Sequence, residues 1–142
     1  ETFMDAVNQD AQHLGMVSTH FVTPDGIDRT DHYTCAQDLL IIARLALQNP
    51  IISKYADFRQ DTVVFESGES ATWVNSNLLL DRSSKYYHPD AFGLKTGTTS
   101  KAGACLLAAF RGENGTVIVG VFGSPTNETR YEDTLYLYKT YG

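Results

Sequence analysis

A lysine, two threonines and a glycine stand side by side late in the chain and could together hold an anionic substrate. Residues 92–106 read FGLKTGTTSKAGACL, in which Lys95 is followed by Thr96, Gly97 and Thr98. An ammonium group raises the local positive potential, hydroxyls hydrogen-bond to substrate oxygens, and glycine lets a bound peptide approach because it carries no Cβ. These residues could therefore bind an anionic group beside an open stretch of backbone.

Arg130 lies near the carboxyl terminus, in a segment with helical spacing of apolar residues. A guanidinium presents donors that match a carboxylate in two-point geometry. Each candidate also has an ordinary structural interpretation. Lys95 could be an exposed strand lysine, the threonines could simply favour a strand, and Arg130 could pair with Glu132 or Asp133 on a helix surface.

Three strands are predicted to position the lysine and threonines. Apolar and other residues alternate from Phe92 onwards, residues 104–110 form an apolar run, and residues 116–122 form a β-branched run after an Asn-Gly turn. This pattern predicts three antiparallel strands joined by tight connections between Ala91 and Ser124.

Helices are predicted where apolar residues recur with a period near 3.6. We expect the middle helix to be buried along much of its surface because its apolar residues are numerous. The predicted helices are residues 3–14 with a stop at Gly15, a stretch from a Thr34 cap to the residue before Pro50, and residues 129–141 with Thr126 or Asn127 as the cap.

The remaining segments connect these elements. Residues 17–33 are typical of a loop, with turn chemistry in Thr-Pro-Asp-Gly. Residues 62–65 and 71–74 predict a β-hairpin, and residues 75–81 predict a short helix or turn. We expect little functional content in the hairpin and the segment after it.

Cysteines and histidines do not form a recognisable cofactor or metal site. Cys35 and Cys105 are too few for a disulfide scaffold and too far apart in sequence for a metal knuckle, so free thiols are expected. The 4 histidines lack the spacing of metal ligands. The sequence thus predicts neither a metal nor a cofactor.

Composition limits the class of protein. The 142 residues suit one folding unit or part of one, and 11 basic against 17 acidic side chains give a net charge of -6 without a basic cluster. Nucleic acid is therefore not expected as a partner. No apolar run is long enough to cross a bilayer, so any export signal or anchor is expected outside these residues.

In the order of its segments, the chain resembles the low-molecular-mass penicillin-binding proteins, which are serine D-alanyl-D-alanine carboxypeptidases. Lys-Thr-Gly is a signature of these proteins and of the serine β-lactamases. The similar segments are, in order, FMDAVNQDAQHLGMVSTHF, TPDGI, TCAQDLLIIARLAL, WVNSNLLL, FGLKTGTTSKAGACLLAAF and RYEDTLYLYKTYG. The segment FGLKTGTTSKAG is the most specific of them.

The resemblance implies an α+β fold, an antiparallel sheet of at least three strands here flanked by helices, and roles for the candidate residues. Lys95 and Thr98 would be catalytic, with the Thr98 backbone N–H as one oxyanion donor. Thr96, Gly97, Thr98 and Arg130 would bind substrate, with Arg130 on the terminal carboxylate. The expected ligands are peptidoglycan stem peptides and β-lactams, and the expected location is the extracytoplasmic bacterial envelope.

The family's nucleophile is missing from the sequence. Neither Ser-x-x-Lys nor Ser-x-Asn occurs, and the nearest imitation, Thr98 followed by Lys101, is not one that the family uses. We therefore expect residues 1–142 to be the carboxy-terminal part of one catalytic domain, inactive alone. The incomplete fold is expected to pair with its amino-terminal half or to self-associate.

Two other functions fit the same motif. A serine β-lactamase shares Lys-Thr-Gly but also needs a base that hydrolyses the acyl-enzyme quickly. A non-catalytic module of the same fold would explain the missing serine, although it gives no reason for Lys95, Thr96, Gly97 and Thr98 to be intact.

Overall fold

Two antiparallel sheets, four α-helices and a 3-10 helix are formed within residues 2–142, the part of the chain that the computed structural model describes. The chain follows the order α1 Phe3–His13, α2 Ala36–Gln48, α3 Pro50–Ala56, β1 Gln60–Val64, β2 Ser70–Val74, a 3-10 helix Leu78–Leu80, β3 Ala91–Thr99, β4 Gly103–Gly112, β5 Gly115–Ser124 and α4 Asn127–Tyr141.

The three predicted strands form one sheet in the order β3-β4-β5, with both neighbouring pairs antiparallel. Because side chains alternate across a strand, the middle strand β4 serves two cores. Leu106 and Phe110 pack with Tyr131 of α4 on one side. Ala109 packs with Ala43 of α2 on the other. Helices on both faces of this sheet confirm the predicted α+β class.

Helix caps explain where α1 and α4 begin. Thr2 and Asp5 form a reciprocal capping box at α1. Thr126 caps α4 by accepting from the Thr129 N–H, so the first of the two predicted caps is the one used.

The prediction of a Thr34 cap for α2 is wrong. Cys35 occupies the cap position and makes no side-chain cap hydrogen bond. The Thr34 hydroxyl instead bonds to the Thr19 hydroxyl at 2.8 Å. A tertiary partner thus competes successfully for a side chain that could otherwise have capped the helix.

Pro50 ends α2 as predicted, but it also begins a helix that the sequence analysis did not anticipate. The Asn49 side chain accepts from the N–H groups of Ile51 and Ile52, which caps α3. Proline is well suited to the first helical position, where a backbone N–H would have no intrahelical partner.

The expectation that α2 is largely buried is wrong for the described residues. Only Asp38 and Ala43 are fully buried, and Leu45 is 41% exposed. Both β5 and α3 contact α2, yet they leave much of its surface partly or fully exposed. The predicted hairpin is confirmed as β1 and β2, which pair only with each other among residues 2–142.

Candidate active site

Lys95 and Thr96 lie on the outer edge strand of the sheet and face different surroundings. Lys95 is exposed, and its Nζ donates to the Thr96 carbonyl. Thr96 is buried, and its hydroxyl bonds to the Ser76 hydroxyl at 2.5 Å. Because side chains alternate along β3, the Lys95 ammonium faces solvent and the neighbouring Thr96 side chain is buried.

Gly97 and Thr98 continue the strand as an exposed surface. A Cβ built on Gly97 would have no atom within 4 Å, so the space beside the strand is open. The Thr98 hydroxyl accepts a hydrogen bond from Arg130 Nη1 at 3.1 Å. Because a guanidinium can only donate, the Thr98 hydroxyl is the acceptor in this bond and keeps its own hydrogen for donation elsewhere.

Arg130 holds this part of β3 from the opposite side. Its Nη1 also donates to the carbonyl oxygens of Gly97 and Cys105, each at 3.2 Å, and the guanidinium lies 5.0 Å from the Tyr131 ring centroid. The residue is only 6% exposed. The salt bridges formed within residues 2–142 do not include a pairing of Arg130 with Glu132 or Asp133. The fold thus brings Arg130, a candidate from the sequence, next to the Lys-Thr-Gly segment.

Segment 75–77 contributes to the site, although we expected little function there. The side chain of Asn77 is fully buried and donates to the Gly93 carbonyl at 3.0 Å. Ser76 reaches Thr96, as described above, and its carbonyl accepts from the Tyr131 hydroxyl at 3.0 Å. The signal that could have revealed this segment is Asn-Ser-Asn between two apolar runs, since such polar residues need partners when buried.

Asp28 is a further residue that the sequence analysis missed. It lies in the long connection between α1 and α2, and its carboxylate bonds to the turn that follows β3. The hydrogen bond from the Thr99 hydroxyl is the main cause that lowers the pKa of Asp28, and bonds from the Lys101 N–H and the Ser100 hydroxyl act in the same direction. The carboxylate is therefore ionised at neutral pH.

Metal binding has no recognisable site in the described part of the chain. Residues 2–142 contain no group of three or more His, Cys, Asp or Glu side chains that could hold a metal ion. Cys35 and Cys105 are both free thiols. None of the described helices is both long enough and apolar enough to span a bilayer.

Residues 1–126 match the profile of the D-alanyl-D-alanine carboxypeptidase family. The chain belongs to this family. The D-alanyl-D-alanine carboxypeptidase DacF of Bacillus subtilis is 33% identical over 130 residues, which are 92% of this chain and 32% of that protein. DacB2 of Mycobacterium tuberculosis, also a D-alanyl-D-alanine carboxypeptidase, is 34% identical over 120 residues, or 82% of this chain and 39% of that protein.

Solved structures of this family share the fold. The DD-transpeptidase of Streptomyces K15 superposes with a TM-score of 0.83 at 31% identity, covering 96% of this chain and 52% of that one. A D-alanyl-D-alanine carboxypeptidase of Mycobacterium tuberculosis gives a TM-score of 0.78 at 26% identity. The resemblance to the penicillin-binding carboxypeptidases is confirmed, and this carboxypeptidase-family chain spans about a third of the length of the curated relatives described above.

Proposed function

We propose that residues 1–142 form the carboxy-terminal part of a serine-type D-alanyl-D-alanine carboxypeptidase domain that acts on the peptide stems of peptidoglycan. The observation that carries the proposal is the edge of β3. An exposed lysine, an open glycine and an exposed threonine lie in succession there, and a buried guanidinium holds that threonine hydroxyl at 3.1 Å.

Recognition of the terminal carboxylate is assigned to the Thr98 hydroxyl, supported by the charges of Arg130 and Lys95. Arg130 is too buried to present a free fork to a ligand. Because it donates to Thr98 Oγ1, it orients that hydroxyl so that its hydrogen points to an incoming carboxylate oxygen. The predicted role of Arg130 is thereby refined from direct contact to contact through Thr98, with its positive charge acting at short range.

The chemical step needs a serine from a segment outside residues 1–142. Its oxygen would attack the carbonyl carbon between the two D-alanines, forming an oxyanion held by the serine's own N–H and the Thr98 N–H. D-alanine then leaves with a proton, and water hydrolyses the ester. Loss of one oxyanion donor slows such reactions by roughly a hundredfold to a thousandfold.

An open groove beside Lys95 supports the proposal that a second half of the domain completes the site. The groove has a volume of about 580 Å³ and lies between α2, α3 and β3. Its walls are mainly apolar and include Ile42, Ile51, Ile52 and Leu107. We propose that the amino-terminal half of the domain packs here and delivers the serine next to Lys95, outside the cytoplasmic membrane where peptidoglycan lies.

Labelling with a fluorescent penicillin tests this proposal. Residues 1–142 alone should remain unlabelled, whereas the chain combined with its amino-terminal half should form a covalent adduct and release D-alanine from a stem peptide. In the combined protein, Lys95→Ala should slow labelling at least about a hundredfold, because the charge beside the serine is lost. Lys139→Ala, on the exposed last turn of α4, is the matched control and should label at the parent rate.

Three outcomes would contradict the proposal in different ways. Labelling of the isolated chain would show that the nucleophile lies within it. Rapid turnover of nitrocefin by the combined protein would identify a β-lactamase. A combined protein that neither labels nor releases D-alanine would indicate a non-catalytic module.

A further inference from the structure

Asp28 connects a distant segment of the chain to the end of β3. Its Oδ1 accepts from the Thr99 hydroxyl at 2.6 Å. Its Oδ2 accepts from the Ser100 hydroxyl and from the Lys101 N–H, each at 3.1 Å. Three successive residues thus donate to one carboxylate that precedes them by 71 to 73 positions.

The segment that carries Asp28 is itself well anchored. Just before Asp28, the Asp25 carboxylate accepts from the Thr23 hydroxyl at 2.6 Å and from the Ile27 N–H at 2.9 Å, which closes a turn. The Asn8 side chain of α1 exchanges two hydrogen bonds of 2.8 Å with the backbone of Phe21. A carboxylate on such a segment can hold its partner in place, whereas one on an unsupported loop would move with it.

Asp38 of α2 anchors the beginning of the same segment. Its Oδ2 accepts from the Ser18 N–H at 2.8 Å and from the Thr19 hydroxyl at 2.7 Å. The Thr19 bond is the main cause that lowers the pKa of Asp38, so this anchor is also charged at neutral pH. Both helices that flank the connection therefore fix its path.

The end of β3 is consequently held from two sides. Arg130 of α4 donates to Gly97 O and Thr98 Oγ1, while Asp28 accepts from the next three residues. The Thr99 hydroxyl also accepts from the Ala102 N–H at 3.0 Å, which tightens the turn into β4. The Thr98 peptide group lies between these two attachments.

We infer that Asp28 is a positioning residue, which orients the backbone of Thr98 by fixing the turn of residues 99–101. The inference rests on the proposed function, in which the Thr98 N–H stabilises the oxyanion. Donors of this kind act through preorganised geometry. A displacement of about 1 Å by a change away from the chemistry can slow a reaction on the order of a hundredfold.

Hydrogen exchange in residues 1–142 tests the attachment without any enzyme activity. Asp28→Asn exchanges an acceptor oxygen for an NH₂ group that would face donors, so the Lys101 amide should exchange at least about tenfold faster. Asp10→Asn is the matched control, because Asp10 is an exposed carboxylate on α1, and should leave Lys101 unchanged. Equal exchange of Lys101 in the parent chain and Asp28→Asn would overturn the inference.

Acylation kinetics of the combined protein test the positioning role. Asp28→Asn should lower the rate constant of penicillin acylation roughly 10- to 100-fold, with a change below about threefold in the dissociation constant of the initial complex. Thr99→Val removes the partner hydroxyl and should produce a similar loss, and the double variant should be less than additive. If Asp28→Asn folds poorly, Thr99→Val alone still tests the inference.

A purely structural role would leave a different signature. It would lower the fraction of protein that can be labelled while the remainder reacts at the parent rate, and that result would overturn the inference. Failure of the parent protein to label would instead count against the proposed function, and the exchange experiment would still stand.

Discussion

The edge of β3 in the three-stranded sheet and the two-stranded β1–β2 hairpin differ in how distant parts of the chain contact their side chains. Around β3, side chains from three distant segments donate or accept, namely Ser76, Arg130 and Asp28. The hairpin exposes large apolar side chains, and Trp73 is 57% exposed. Distant segments thus bond to the proposed substrate wall, whereas the hairpin leaves large apolar side chains uncovered within residues 2–142.

We expect the largest loss of stability from replacing Arg130. Arg130→Met keeps an unbranched apolar side chain but removes the donor to the carbonyls of Gly97 and Cys105. Hydrogen bonds to charged groups are worth about 1.5–3 kcal/mol, and we expect the free energy of unfolding to fall by about 3 kcal/mol. Urea denaturation followed by far-UV circular dichroism measures this loss.

Arg130→Lys separates charge from geometry in the same assay. Lysine keeps the positive charge but lacks the planar guanidinium that places Nη1 beside three oxygens. It should recover at most half of the lost stability. Full recovery would show that charge alone stabilises the end of β3.

Tyr131 should give the next largest effect, because it fixes segment 76–78 beneath β3. Its hydroxyl accepts from the Leu78 N–H at 3.1 Å and donates to the Ser76 carbonyl, and the side chain is fully buried. Tyr131→Phe should lower the free energy of unfolding by about 1–3 kcal/mol because a buried donor loses its partner. Tyr136→Phe, at a position on α4 that is 66% exposed, should change it by less than about 0.5 kcal/mol.

Asp81 bonds to Arg59, the residue before β1, and should give a smaller, pH-dependent effect. It accepts from Ser83 and from Arg59 at the base of the hairpin, and the two Ser83 hydrogen bonds are the main causes that lower its pKa from 3.8 to about 2. A lowered pKa stabilises the folded state above pH 3.8, and this stabilisation is lost as the pH falls through about 2. Asp81→Asn should therefore flatten the decline of stability between these pH values in acid titrations followed by circular dichroism. An unchanged slope would contradict this prediction.

A substitution in the hairpin should have the smallest effect on the free energy of unfolding and the largest effect on self-association. Val64→Thr, at a site 70% exposed, should change the free energy of unfolding by less than about 0.5 kcal/mol. The same substitution should weaken self-association measured by analytical ultracentrifugation, because exposed apolar edges promote pairing between chains. A large loss of stability would show that the hairpin packs within its own chain.

Local patterns in the sequence predicted the elements well because their causes are local. Alternation and an Asn-Gly turn mark β3, β4 and β5, and the Thr126 cap marks α4. The Thr34 cap failed because Thr19 competes for that hydroxyl. Lys95 and its neighbours were recognised from a short motif. Asp28, in contrast, lies 71 to 73 residues before its hydrogen-bond partners in the sequence, and only the fold brings them together. No local sequence pattern encodes such a long-range contact.

Trp73 is the single tryptophan of the chain and lies on the exposed hairpin. Its indole emission reports the polarity around the hairpin and not the packing of the sheet. A blue shift on mixing with an amino-terminal half would therefore signal that the hairpin has been covered, without any label attached. Trp73 is thus an intrinsic fluorescent probe of assembly, and it lies outside the strand proposed to bind substrate.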